Sequence, residues 1–150
     1  MDNNCSSNQH QDFLNMKTVQ KFLQVLLILL SFTLVYSNEL KLSCHEHGSV
    51  LKEKITQFYL PTIPELSNSN KLVFVVFPLS GDCHLYVSSQ TNATKTQYHW
   101  KSTHTGPNYV VVKKTDRNYH TGHYFITVTG EWDSNFKILA YINDSKKKKN

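Results

Sequence analysis

Beyond Asn38 the apolar positions fall in short runs and alternations, and none keeps helical spacing for long enough to predict a helix. Lys71 to Phe77 is a continuous β-branched and aromatic run between Asn68-Ser69-Asn70 and Pro78, the pattern of a strand buried on both faces. Leu85 to Val87, approached through Gly81-Asp82, reads as a second strand, and Tyr109 to Lys113, set off by Gly106-Pro107-Asn108, as a third. His123 to Thr129 alternates, with Tyr124, Ile126 and Val128 on one face and Phe125, Thr127 and Thr129 on the other. Phe136 to Ile142 follows a short turn and keeps the same period. Ser49 to Phe58 mixes Val50, Leu51, Ile55 and Phe58 with charged residues and stops before Pro61 and Pro64, which suits an edge strand. Six or seven short strands separated by turn residues predict an all-β fold: a single antiparallel β-sandwich of the jelly-roll kind. Its expected core is Val73, Val75, Leu85, Val87, Val111, Ile126, Val128 and Ile138.

The first 37 residues have a different character. Lys17 and Lys21 precede the apolar run Phe22 to Tyr36, and Ser37-Asn38-Glu39 returns to polar residues, the order of a secretory signal with cleavage near Ser37. Met16 opens a more ordinary signal than Met1 does, which leaves residues 1–15 dispensable. The apolar run would span about 22 Å as a helix, short of a hydrocarbon core of roughly 30 Å. Retained instead of cleaved, this hydrophobic helix is a signal anchor, and the chain becomes a single-pass membrane protein with its domain outside the cytoplasm. The organisation predicted is thus 1–37 signal peptide or anchor, 38–145 sandwich domain and 146–150 basic tail.

Export changes how the cysteines read. Cys5 lies upstream of the apolar run, so the mature chain keeps Cys44 and Cys83, which in an oxidising compartment are expected to form one disulfide. The clusters Cys44-His45-Glu46-His47 and Cys83-His84 offer metal-binding side chains, but they match no zinc spacing. Asn92-Ala93-Thr94 and Asn143-Asp144-Ser145 fit the N-glycosylation acceptor and predict a glycoprotein. The net charge of +5 is concentrated at one end: residues 38–150 hold 14 Lys and Arg against 9 Asp and Glu, and 4 of the 14 are the run Lys146 to Lys149. Without that run the domain stands at +1, so no basic face for nucleic acid is indicated.

From Gly81 onward the motifs follow a familiar order. Gly81-Asp82-Cys83-His84-Leu85-Tyr86-Val87 is followed by Tyr98-His99-Trp100, then Gly122-His-Tyr-Phe-Ile-Thr-Val-Thr-Gly130, then Ser134-Asn-Phe136 leading into the last strand. The chain resembles the pre-peptidase C-terminal domain, a secreted β-sandwich whose members carry G-D-x-D-L-Y-V, Y-x-C or Y-x-W, and G-x-Y-x-I-x-V-x-G. The resemblance covers Gly81 to Ala140. It implies a non-catalytic module of the kind that accompanies secreted peptidases, related modules binding collagen or other extracellular polymers, some with calcium. Here His84 stands where the family has its second acidic residue, so Asp82 alone carries over as a calcium ligand. That weakens a site for an ion that takes six to eight oxygens.

Seven histidines remain beyond the signal, yet there is no G-x-S-x-G elbow, no H-E-x-x-H and no triad pattern, so no catalytic residue is assigned. The aromatic residues are the stronger lead. Trp132, in the Glu131-Trp-Asp-Ser-Asn135 turn between two strands, is expected to be exposed, and with Asp133 and Tyr98 it forms the predicted contact set. The function expected is secreted binding or adhesion to an extracellular polymer, glycan or protein partner, with no nucleic acid. The alternative is a membrane-tethered ectodomain acting as an accessory subunit, with membrane contact only through a retained apolar segment.

Overall fold

The longest apolar run becomes the middle of a sheet. A computed structural model describes residues 38–144, together with Val19, Gln20, Lys21 and Gln24 in helical conformation. The signal or anchor segment and the basic tail otherwise lie outside the described residues, and among the described residues no helix is long and apolar enough to cross a membrane. Nine strands follow in order: β1 Asn38–Glu39, β2 His45–Val50, β3 Ile55–Leu60, β4 Asn70–Ser80, β5 Cys83–Ser88, β6 Trp100–Ser102, β7 Asn108–Lys113, β8 Tyr124–Gly130 and β9 Ser134–Asp144. They make a five-stranded sheet ordered β1-β3-β8-β5-β6 and a four-stranded sheet ordered β2-β9-β4-β7. The two sheets form a sandwich, as the strand pattern predicts. Every named pair of strands is antiparallel except β1 with β3, which run parallel over two residues.

The core lies between the sheets. Leu72, Phe74 and Val76 of β4, Val110 and Val112 of β7, and Phe136, Ile138 and Ala140 of β9 point inward from one sheet. Phe58, Leu85, Val87, Tyr124, Ile126 and Val128 meet them from the other, and Phe58 sits edge-on to Phe136 with ring centroids 6.0 Å apart. Among the described residues, every member of this cluster falls between Leu40 and Ile142. Leu85, Val87, Ile126, Val128 and Ile138 are core residues as expected. Val111 is not: period-two alternation on β7 turns Val110 and Val112 inward and leaves Val111 41% exposed. Val73 and Val75 are buried but lie on the opposite face of β4 from Leu72 and Phe74, outside the central cluster.

Ser49 to Phe58 is likewise not one edge strand. Glu53 takes a left-handed conformation, φ 60°, and Lys52, Glu53 and Lys54 form a turn that carries the chain from β2, at the edge of one sheet, to β3, inside the other. The far edge of the four-stranded sheet is closed by side chains. On β7 the Tyr109 N–H donates to Ser102 Oγ at 3.2 Å and the Lys113 N–H to Asp116 Oδ2 at 3.0 Å, which blunts the strand against further pairing.

The predicted Cys44–Cys83 disulfide is absent; both thiols are free, Cys44 exposed and Cys83 buried. The strand register explains it. The Ser43 N–H donates to Ala140 O at 2.7 Å, which places Cys44 near the middle of β9, whereas Ser134 Oγ lies 2.8 Å from Asp82 O, which places Cys83 at the start of β9. Six residues of strand separate those points, about 20 Å, against the roughly 7 Å between Cα atoms that a disulfide allows.

The register makes a direct prediction. Ile138→Ala should cost about 2–5 kcal/mol in urea unfolding, as a buried deletion that leaves a cavity, whereas Val111→Ala should cost about 1 kcal/mol or less. Equal losses at the two positions would contradict the facing of β7.

Candidate binding site

The site at one end of the sandwich is assembled by three tight connections. Between β8 and β9 the chain turns through Gly130 to Ser134, and the N–H groups of Glu131 and Trp132 both donate to Asp82 O, at 3.0 and 3.2 Å. Ser134 Oγ lies 2.8 Å from the same oxygen and 2.7 Å from Trp132 O. Asp82 follows Gly81, whose φ of +69° suits glycine; a side chain there would also overlap the Asp133 carbonyl. The turn between β2 and β3 closes from the other side: Lys52 N–H donates to Asp133 Oδ1 at 2.7 Å, Glu53 N–H to Gly130 O at 2.9 Å, and Gly130 N–H to Lys54 O at 3.2 Å.

Trp132 stands on this frame. The residue is 57% exposed, its only ring contact among the described residues being Lys52, whose Nζ lies 4.3 Å from the ring centroid. The backbone beneath it is fixed by the hydrogen bonds just described, so the ring is presented on a held turn. Asp133 is less available than its polar side chain suggests, because Oδ1 is committed to Lys52 N–H. Lys52 itself had no signal in the sequence: its turn lacks Gly, Pro, Asn and Asp, and only pairing with β8 brings it beneath the tryptophan.

Tyr98 belongs to a different surface. The connection between β5 and β6 folds over the outer face of the five-stranded sheet, where Thr127 Oγ1 donates to Ala93 O at 2.7 Å. Tyr98 lies there half-buried, 5.6 Å from the ring of Tyr86, with Lys101 Nζ 5.0 Å from its own ring centroid. It shares no partner with Trp132. Asn92, on the same connection, and Asn143, near the end of β9, are both exposed.

Asp82 acts as a structural acceptor. Its Oδ1 receives the N–H groups of Cys83 at 3.1 Å and Gly106 at 3.2 Å, joining the start of β5 to the turn before β7. Among the described residues no three His, Cys, Asp or Glu lie close enough together to hold a metal ion. The six to eight oxygens of a calcium site are therefore not assembled from carboxylates around Asp82. Two of the histidines, His99 and His120, are held in local packing. His120 stacks on Tyr124 with centroids 5.4 Å apart and accepts the Gly122 N–H on Nδ1 at 2.7 Å. His99 Nδ1 accepts the Ser89 N–H at 3.1 Å and lies 2.9 Å from the buried Ser89 hydroxyl, which donates to Asn118 O at 2.8 Å.

Two solved structures give the fold a context. The chain is similar in structure to the pre-peptidase C-terminal domain of a collagenase from Bacillus anthracis. The two share 14% sequence identity with a TM-score of 0.44, over 70% of this chain and 94% of the other. A second similarity, with a TM-score of 0.32 and 10% identity, is to a family GH115 4-O-methyl-alpha-glucuronidase described as specific for decorated arabinogalactans. It covers 71% of this chain but 18% of that one. No protein-family model and no curated protein matches the sequence.

Burial makes Cys83 a reporter of folding. Burial first, and the Asp82 carboxylate second, push its pKa up to about 12. The unfolded chain loses that proton near pH 8.5 while the folded chain keeps it, so this contribution to stability is complete below about pH 8.5 and is lost as pH rises toward the folded value. Stability of the wild-type domain should therefore fall above about pH 8.5, and more shallowly in Cys83→Ala. In the domain beginning at Asn38, one thiol, that of Cys44, should react rapidly with a disulfide reagent, and Cys83 only after unfolding. Asp82→Ala should cost about 1–3 kcal/mol, since it strips two backbone donors of their acceptor, whereas Asp82→Asn should cost less.

Proposed function

We propose that residues 38–145 form a secreted, non-catalytic module that binds an extracellular polymer or protein through the turn carrying Trp132. The observation that carries this reading is the pairing of exposure with rigidity: the largest apolar side chain on the described surface stands on a turn held by hydrogen bonds from three connections. A ring presented in this way loses little freedom on binding, and Lys52 and Asp133 beside it supply polar contacts at the rim. Buried tryptophans at interfaces are frequent energetic anchors. The preceding signal-like segment supports export, and the resemblance of Gly81 to Ala140 to pre-peptidase C-terminal domains supports an accessory role beside other extracellular proteins. Tyr98, packed on Tyr86 with Lys101 near its ring, supplies a further aromatic contact on the face of the five-stranded sheet.

The test uses the purified domain with fibrillar collagen, chitin and cellulose as immobilised probes. Retention is expected on at least one. On that polymer Trp132→Ala should weaken binding at least about tenfold, with the melting temperature within a few degrees of wild type because only an exposed side chain is removed. Undiminished binding by the variant would take Trp132 out of the site, and turnover of a probe would overturn the non-catalytic reading.

A further inference from the structure

The outer face of the four-stranded sheet carries a second pattern. Register brings Val73 and Val75 of β4 between Leu139 and Tyr141 of β9 and Tyr109 and Val111 of β7. Val73 and Val75 are shielded by these neighbours, at 5% and 2% exposure, but Tyr109 is 50% and Val111 41% exposed. Phe77 extends the apolar strip at 38% exposure, its ring edge-on to Tyr109 at 87° and 5.9 Å. Cations border this strip on both ends. Lys71 and Lys113 are direct cross-strand partners, and Lys137 pairs with Phe77 on one side and His47 on the other. No Asp or Glu occupies an outward register position on the four strands.

This arrangement costs the isolated domain something. Like charges placed directly opposite each other on neighbouring strands are unfavourable, and an exposed aromatic and aliphatic strip leaves apolar surface in water. One kind of partner relieves both. We propose that this face is a docking surface for a lipid bilayer carrying anionic headgroups. The lysine ammoniums reach the phosphates while Tyr109, Val111 and Phe77 enter the boundary between headgroups and acyl chains. A second copy of the domain is disfavoured, because stacking two such faces would oppose lysine to lysine. A polyanionic glycan would satisfy the lysines but leave Val111 and Phe77 uncovered, and two perpendicular rings give no flat floor for a sugar chain.

The test is co-sedimentation of the unglycosylated domain, Asn38 to Asn150, with phosphatidylcholine vesicles with and without phosphatidylglycerol; a glycan on Asn143 would stand in the Lys71 row. Sedimentation is expected with the anionic vesicles alone and should weaken as salt is raised. The double substitution Lys71→Glu with Lys113→Glu, and separately Val111→Asp, should each weaken it at least about tenfold without lowering the melting temperature by more than a few degrees. Trp132→Ala should leave vesicle binding unchanged, which separates this surface from the turn proposed above. A Tyr109→Trp variant should show blue-shifted emission on the anionic vesicles relative to wild type, reporting burial at that position. The proposal is overturned by absence of binding, by full binding of both face variants, or by loss of binding when only Lys146 to Lys149 are changed to Gln. Retention on heparin without vesicle binding, or dimerisation abolished by Val111→Asp, would equally overturn it and assign the face to those partners.

Discussion

The pairing of β4 with β9 is the constraint on which the rest of the molecule rests. Each strand is eleven residues long, and the ladder runs from Asn70 opposite Asp144 to Ser80 opposite Asn135. Because side chains alternate across a pleated strand, this one register decides two surfaces at once. It turns Leu72, Phe74, Val76, Phe136, Ile138 and Ala140 into the core, and it sends Val73, Val75, Leu139 and Tyr141 to the opposite side. A slip of one residue would exchange the two sets. The irregularity between Pro78 and Ser80 lies at the end of the ladder nearest the β8–β9 turn, where Ser80 Oγ receives Asn135 N–H at 3.2 Å.

From that ladder the end of the sandwich is built outward. β9 begins at Ser134, and the turn preceding it has little freedom because Asp82 O, Gly130 and Asp133 each engage a neighbouring connection. Asp82 is the most heavily used residue in this region. Its carbonyl serves the Trp132 turn and its carboxylate serves the start of β5 and the turn at Gly106. Hydrogen bonding to nearby backbone is a common use of an aspartate at a turn. The surface ion pair of Lys114 with Glu65, at 2.7 Å, is by comparison a minor tie, since both groups face water.

The two proposed surfaces differ in their physics. The Trp132 turn offers one large ring on a fixed support flanked by charges of both signs, suited to a discrete contact. The outer sheet face offers a broad apolar strip with a cationic border, suited to an extended anionic layer. They sit on different parts of the domain, one on the connection between the sheets and one on the outer pleat of a single sheet, so neither depends on the other.

Much of the architecture was legible along the chain. Period-two alternation in β8 and β9, the apolar run of β4 and the turn residues at Gly81-Asp82 and Gly106-Pro107-Asn108 each point to their element without reference to anything distant. The exposure of Trp132 also followed from its place between two strands. Tertiary structure alone decided which face of β7 meets the core, because three consecutive valines fit either facing and only pairing with β4 selects Val110 and Val112. It decided that Lys52 lies beneath Trp132, since the turn of Glu53 has no sequence signature and is imposed by its hydrogen bond to Gly130. It kept Cys44 and Cys83 apart, because their spacing in sequence says nothing of the positions along β9 to which each is tied. Local pattern determines which residues form strands, because alternation is a property of neighbours in the chain; register and facing depend on partners far away in sequence, and there the fold makes the choice.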